Sequence, residues 1–349
     1  MKMYVDMSGY QGVHQNTSVA HGAEMLVQEF LKQDGLELTL GGLKNHGRSF
    51  LRTQWFKYVV RQAQSYGHIY LGLRNPDSLI VPMNAYTLFY DIIPFQVNTG
   101  VKREYFRCVY RSWLTKSRKV FVFSKTMLTE LKQLGRIRGL EDRVEIIPPF
   151  LDNEMLLLSQ KKMKRVSAHE KYVLGFGTGE PRKNIARTLD LYEKIRSLDP
   201  AIKLYLYGGS WRGIGHSLVQ DELRRRAMSE HDVVQMGRVS TRDLVSLYQH
   251  SIAFLFPSMY EGIGLPPFEA LLCGTKVIIS DIDVFREYLF DYPNVYVVKL
   301  DDYSNDVAVS MQVLEDTAHD FNLTTSIGAL SAKRSAQLVI QGIREDHCR

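Results

Sequence analysis

The chain has 349 residues, 45% of them apolar, and a formal net charge of +6, which suits two domains with an ordinary core each. No apolar run reaches transmembrane length, Met1-Lys2-Met3-Tyr4-Val5-Asp6 lacks the basic-then-apolar pattern of a secretory leader, and Cys108, Cys273 and Cys348 show neither metal nor disulfide spacing. A spanning segment, a leader and a disulfide framework are therefore not expected, a reducing cytosol is, and the Asn-x-Ser/Thr triplets at Asn16 and Asn322 read as chance.

In the first half, short β-rich runs alternate with helical ones. Strands are expected at Met3–Met7, Leu36–Leu40, His68–Leu73, Thr87–Ile92, Lys119–Phe123 and Val144–Ile147, with helices near Ala20–Lys32 and Phe50–Ser65. Such alternation predicts a parallel sheet covered on both faces. Between Lys102 and Lys119 the only acid is Glu104, while Arg103, Arg107 and Arg111 recur every four residues and share a helix face beside Phe106, Tyr110 and Trp113. Two readings fit this helix: a solvated basic side, or a surface that meets anionic lipid or a polyanionic acceptor.

The charged stretch Ser159–Lys171 reads as a linker, and a second cycle comes after it. Its strands are expected at Tyr172–Phe176, Lys203–Tyr207, Val233–Met236, Ile252–Phe256, Lys276–Ile279 and Val295–Val298. In the helix after the first of these, Ile185, Leu189, Tyr192 and Ile195 keep the spacing of a buried stripe. Ser331–Arg344 reads as a last amphipathic helix. The expected division is a first domain over 1–158, a linker over 159–171, a second domain over 172–330, and a C-terminal helix and tail over 331–349. Two doubly wound α/β sheets imply a cleft between them, where such folds bind ligands at strand C-termini.

Several segments could carry chemistry. Phe89-Tyr90-Asp91-Ile92-Ile93-Pro94 ends a strand with an acid, which fits a cap for the next turn or a functional carboxylate. Gly175-Phe176-Gly177-Thr178-Gly179 precedes Glu180-Pro181-Arg182-Lys183-Asn184, so glycines that admit a close ligand lead to two cations at a helix start. Cations there oppose the helix dipole, which argues for a bound phosphate; arginine forks across two phosphate oxygens and lysine adds a compact charge. A dinucleotide-binding dehydrogenase would need Gly-x-Gly-x-x-Gly and an acid closing the next strand, but that strand ends Tyr207-Gly208-Gly209-Ser210. Gly237-Arg238-Val239 fits a plain turn capped by Ser240 or a contact to a donor's base. Asp281-Ile282-Asp283 could hold a metal, but Asp281 or Asp283 as the cap of the next helix is the simpler expectation. Finally, Pro257–Thr275 sets Glu261 and Glu269, with seven residues between them, around Gly262-Ile263-Gly264 and a helix opened by Pro266 and Pro267. The N–H groups of that first turn suit phosphate or a polar sugar.

This two-glutamate stretch, with the Gly-x-Gly and Arg-Lys-Asn order before it, resembles the family-4 retaining glycosyltransferases (glycosyl transferases group 1). The resemblance covers roughly residues 85 to 345. It implies a GT-B architecture of two facing Rossmann-like domains and transfer of a sugar from a nucleotide-diphosphate donor to a saccharide or lipid-linked acceptor. Surface polysaccharide or glycolipid synthesis in the cytoplasm, at the inner membrane face, is the setting it suggests. Arg182 and Lys183 are then expected on the leaving diphosphate with the N–H groups near Gly264 and Leu265, Glu261 on the sugar, and Glu269 on the ribose. Gly177, Val239 and Ile263 complete the donor side, Gly9 and Gly12 stand for an acceptor-side loop, and Asp91 is carried over as catalytic from a His-Asp-x-x-Pro stretch in which Tyr90 replaces the histidine. No metal, cofactor or nucleic-acid partner is expected, and Lys102–Lys119 is the candidate for anionic membrane contact. Glu261→Ala is expected to abolish transfer with the fold intact. A glycoside hydrolase or phosphorylase would also use paired carboxylates, and a non-catalytic GT-B scaffold is the other alternative.

Overall fold

Six parallel strands form the sheet of the first unit, which comprises Met1–Asp152 and Gly328–Arg349. The computed structural model describes residues 1–6, 18–41, 69–73, 75–135, 137–165, 170–208, 214–229, 231–316 and 331–347. The strands are β1 Lys2–Asp6, β2 Glu37–Gly41, β3 Ile69–Gly72, β4 Ala85–Phe89, β5 Lys119–Val122 and β6 Val144–Ile146, in the order β2-β1-β3-β4-β5-β6. β3 and β4 are buried throughout, as parallel strands covered on both faces must be. The helix Ser18–Leu31 turns Ala23, Leu26, Val27 and Phe30 inward at three-to-four spacing.

The helix Ala332–His347 closes the same unit. It buries Ala336, Val339, Ile340 and Ile343. Ser335 Oγ donates to the Pro148 carbonyl at 2.7 Å, and Asp346 accepts from the Tyr86 hydroxyl at 2.6 Å and from Arg118 Nε at 2.7 Å. On the helix Gly100–Lys116 the aromatic side is core: Tyr110 and Trp113 are buried, and Trp113 Nε1 donates to the Ser78 carbonyl at 2.7 Å. Arg103, Arg107 and Arg111 are exposed, with the first two guanidinium groups 4.5 and 5.4 Å from the Phe95 ring centre.

The second unit is Asn153–Ile327. Its strands are β7 Tyr172–Phe176, β8 Lys203–Tyr207, β9 Val233–Gly237, β10 Ala253–Phe256, β11 Lys276–Ser280 and β12 Val295–Val298, in the order β12-β11-β10-β7-β8-β9. All pair in parallel, and the winding reverses between β7 and β10. In doubly wound sheets the ends of the strands at that reversal frame the ligand site. The expected stripe is present: Leu189, Tyr192 and Ile195 are fully buried against Val173, Leu204 and Leu255, with Ile185 at the margin.

Every expected strand is present, and the largest displacement is β4, which stops at Phe89 rather than continuing to Ile92. There the Tyr90 N–H leaves the ladder and donates to Asn75 Oδ1 at 2.8 Å. The expected helix near Phe50–Ser65, and Gly9 and Gly12, lie outside the described residues. The division between units falls at Asp152/Asn153 rather than at 158, because the helix Asn153–Ser159 buries Met155 and Leu158 in the second unit. The start of the expected linker is tied there too. Gln249 Nε2 donates to the Ser159 and Lys161 carbonyls at 3.2 and 2.9 Å, and Gln249 Oε1 accepts the Met163 N–H at 2.9 Å.

Candidate functional site

β7 and β10 run side by side, with Leu174 opposite Phe254 and Gly175 opposite Leu255, so the loops at their ends are neighbours. The first loop enters a 3-10 turn, Pro181–Lys183, that ends on Asn184 in the left-handed region at φ 55°. Asn184 Oδ1 then accepts the Arg187 N–H at the start of the helix Ile185–Leu198. The two loops are stitched together at one carbonyl, Arg182 O, which accepts the Met259 N–H at 2.7 Å and lies 3.0 Å from Ser258 Oγ. Gly177 has an immediate structural reason as well. Its N–H donates to the Tyr207 carbonyl at 2.7 Å, and a Cβ there would stand 3.0 Å from Leu206 Cβ.

Glu261 is the centre of the cluster. Its Oε1 accepts from Lys183 Nζ at 2.7 Å and from Ser258 Oγ at 2.6 Å, and its Oε2 accepts from Arg182 Nη1 at 2.8 Å. Arg182 also reaches outward, with Nη2 2.7 Å from Glu180 Oε2. Lys183 is 8% exposed and Glu261 7%, so their attraction is screened little by water. The ammonium lies 4.5 Å from the centre of the Phe256 ring and 5.0 Å from that of Phe176, both π-faces that favour a cation. Burial pulls the Lys183 pKa below the ordinary lysine value, and the Glu261 carboxylate opposes that shift. Two expected phosphate ligands and an expected sugar ligand are thus brought together as one ion-paired group. Glu261→Ala would strip a buried ammonium of its counter-ion, so the fold is not indifferent to it.

The second loop ends on Gly264, at φ 76°, which opens the helix Leu265–Leu272. A Cβ at Gly264 would fall 2.4 Å from Phe285 Cε1, so both conformation and space require glycine. Ile263 is buried and Leu265 half-buried beside it. Glu269 lies one turn further along this helix, where the Tyr248 hydroxyl, 3.3 Å from Glu269 Oε2 and hydrogen-bonded to the Tyr207 hydroxyl, meets it. Burial pushes both phenols far above the ordinary tyrosine pKa. Val239 is half-buried in the turn after β9, where Ser240 caps the next helix by accepting the Asp243 N–H at 3.1 Å.

Other expected residues lie elsewhere. Asp91 belongs to the first unit, where it accepts from Asn75 Nδ2 at 2.8 Å and from the Ile93 N–H at 2.9 Å. Tyr90 is buried against Phe123, and its hydroxyl has no hydrogen-bond partner among the described residues. Neither Asp281 nor Asp283 caps the helix Asp283–Tyr288, contrary to expectation: Ile282 is the N-cap, and Arg286 holds both carboxylates at 2.6 Å. Arginine in the last turn out-competes backbone capping because it offers each acid a charge-assisted bond. Among the described residues no group of three or more His, Cys, Asp and Glu side chains is arranged to hold a metal ion. Sequence reasoning missed Ser258, Glu180 and Tyr248. Ser258 stands inside the two-glutamate stretch, three residues before Glu261, while Tyr248 reaches Glu269 across 21 residues and left no local signal.

Residues 159–328 match the family model described as Glycosyl transferases group 1. The chain is 32% identical over 170 residues to O-antigen chain mannosyltransferase B of Escherichia coli, covering 48% of this chain and 42% of that protein. It is 26% identical over 277 residues to O-antigen chain mannosyltransferase RfbU of Salmonella typhimurium, covering 77% and 73%. Among solved structures, WaaG, a glycosyltransferase involved in lipopolysaccharide biosynthesis, is similar in fold with a TM-score of 0.68 at 13% identity, over 97% of this chain and 95% of that one. An α,α-trehalose-phosphate synthase from Burkholderia xenovorans gives 0.72 at 8% identity over 99% and 100%. Sequence match and shared winding meet on the same segment: residues 159–328 match glycosyl transferases group 1, and the chain has the GT-B fold of two Rossmann-like units.

Proposed function

We propose that the protein is a retaining glycosyltransferase that moves mannose from a nucleoside diphosphate donor to a saccharide or lipid-linked acceptor in surface polysaccharide or glycolipid synthesis. The observation that carries this reading is the Arg182–Lys183–Glu261 cluster at the reversal point of a doubly wound sheet. Such a cluster supplies what the chemistry needs: cations for a departing diphosphate and an acid for the sugar left behind. Mannose is favoured because both relatives named above are O-antigen chain mannosyltransferases.

In this reading Arg182, Lys183 and the backbone near Gly264 and Leu265 take up charge as the diphosphate leaves. Loss of one such preorganised donor typically costs ~3–4 kcal/mol in the transition state. Glu261 holds the sugar and its developing positive charge, and Glu269, steadied by Tyr248, accepts from the ribose. Gly177, Val239 and Ile263 line the donor side, and Asp91 is a further catalytic carboxylate. The exposed Arg103, Arg107 and Arg111 support peripheral contact with anionic lipid, and co-sedimentation with phosphatidylglycerol vesicles that ignores added salt would remove that part.

The test is a donor screen with GDP-mannose, UDP-glucose and UDP-galactose, with the anomeric configuration of the product read by NMR. Transfer from GDP-mannose with retention is expected. Release of free sugar by water, or of sugar 1-phosphate by phosphate, from an oligosaccharide without use of any nucleotide sugar would replace the reading with a hydrolase or phosphorylase.

A further inference from the structure

Every terminal nitrogen of the Arg182 fork is engaged by a carboxylate: Nη1 by Glu261 at 2.8 Å and Nη2 by Glu180 at 2.7 Å. A diphosphate that takes the fork through both terminal nitrogens therefore competes with one of them. Glu261 is the poor candidate, since it is buried and held as well by Lys183 and Ser258. Glu180 is the exchangeable one. Its side chain is 52% exposed, and it begins the turn Pro181–Lys183 without using its carboxylate as a cap. The formal charges of Glu180, Arg182, Lys183 and Glu261 cancel, so an incoming diphosphate meets a neutral quartet until one acid withdraws.

We propose that Glu180 competes with the donor's diphosphate for Arg182 and thereby sets how tightly the site holds nucleoside diphosphates, before and after transfer. The proposal rests on the donor-site reading of Arg182 and Lys183. Glu180 touches no substrate; it acts through Arg182. Exposed ion pairs contribute little, whereas a diphosphate brings more negative charge to Nη2 than the single carboxylate it replaces, so the exchange runs toward the ligand. When the sugar has gone, the same carboxylate is at hand to take the fork back and assist departure of the product.

The experiment titrates GDP and UDP, each alone, into the full-length wild type and into Glu180→Gln, Glu180→Asp, Arg182→Ala and the Glu180→Gln/Arg182→Ala double variant, by calorimetry at low and at moderate salt. Glu180→Gln is expected to bind roughly two- to fivefold more tightly than wild type, the range an exposed pair represents, and the gain is expected to shrink as salt screens the competition. Glu180→Asp should stay nearer wild type, and the gain should vanish where Arg182 is absent. A gain in affinity separates this role from a structural one, since damage to the loop would only weaken binding. Loosened binding in Arg182→Ala with equal or looser binding in Glu180→Gln overturns the proposal alone. Equal binding by wild type and Arg182→Ala, or none by either, overturns the donor-site reading and the proposal with it.

Discussion

Removing the Glu261 carboxylate should unsettle the second unit before it tells anything about chemistry. In Glu261→Ala, Lys183, Arg182 and Ser258 lose a shared acceptor, and Lys183 is only 8% exposed. Breaking a buried pair from one side typically costs about 3–5 kcal/mol, because the remaining charge has neither water nor partner. Shedding its proton limits the damage, and Lys183, already below the ordinary lysine pKa through burial, is disposed to do so. If that is the cause, taking away the stranded ammonium should help: Glu261→Ala/Lys183→Met should recover about 2–3 kcal/mol of the loss. Urea unfolding of wild type, both single variants and the double variant, at one pH and salt, measures the coupling. A loss below about 1 kcal/mol in Glu261→Ala, or simple additivity in the double variant, would refute the reasoning. Glu261→Gln, which keeps an acceptor for Lys183 and Ser258, is then the variant with which to test transfer.

Gly264→Ala should destabilise by about 2–5 kcal/mol, combining ~1–2 for the left-handed backbone with ~1–3 for overpacking against Phe285. Adding Phe285→Leu should return only the second part, and urea midpoints for the three variants check this. Nucleoside diphosphate affinity should be full while Lys183 is protonated and should fall as pH rises through its lowered pKa, at lower pH than an ordinary lysine near 10.5 would give. Binding curves across alkaline pH, compared with Lys183→Met in which that limb should be missing, measure it.

The fold was largely readable because its strands are short, apolar and separated by helices whose stripes keep their period; Leu189, Tyr192 and Ile195 lie where the spacing put them. Pairing partners were less accessible. That Arg182 and Lys183 converge on Glu261 depends on β7 and β10 being neighbours, a relation between residues some 80 positions apart that no local pattern encodes. The same limit hid Tyr248 behind Glu269. The Asp281 and Asp283 caps failed for a different reason. Capping propensity describes competition with backbone and water, and Arg286 entered that competition with a charge.

Because Ala332–His347 returns to the first unit, the second is a single uninterrupted run inserted within it. The second unit is therefore a cassette: a relative's corresponding run could be grafted between Asp152 and Gly328 while leaving the first unit both of its segments. Trimming the chain from its C-terminus has the opposite character, for it would take Ser335 and Asp346 away from Pro148, Tyr86 and Arg118, injuring a unit whose strands all lie far from the cut in sequence.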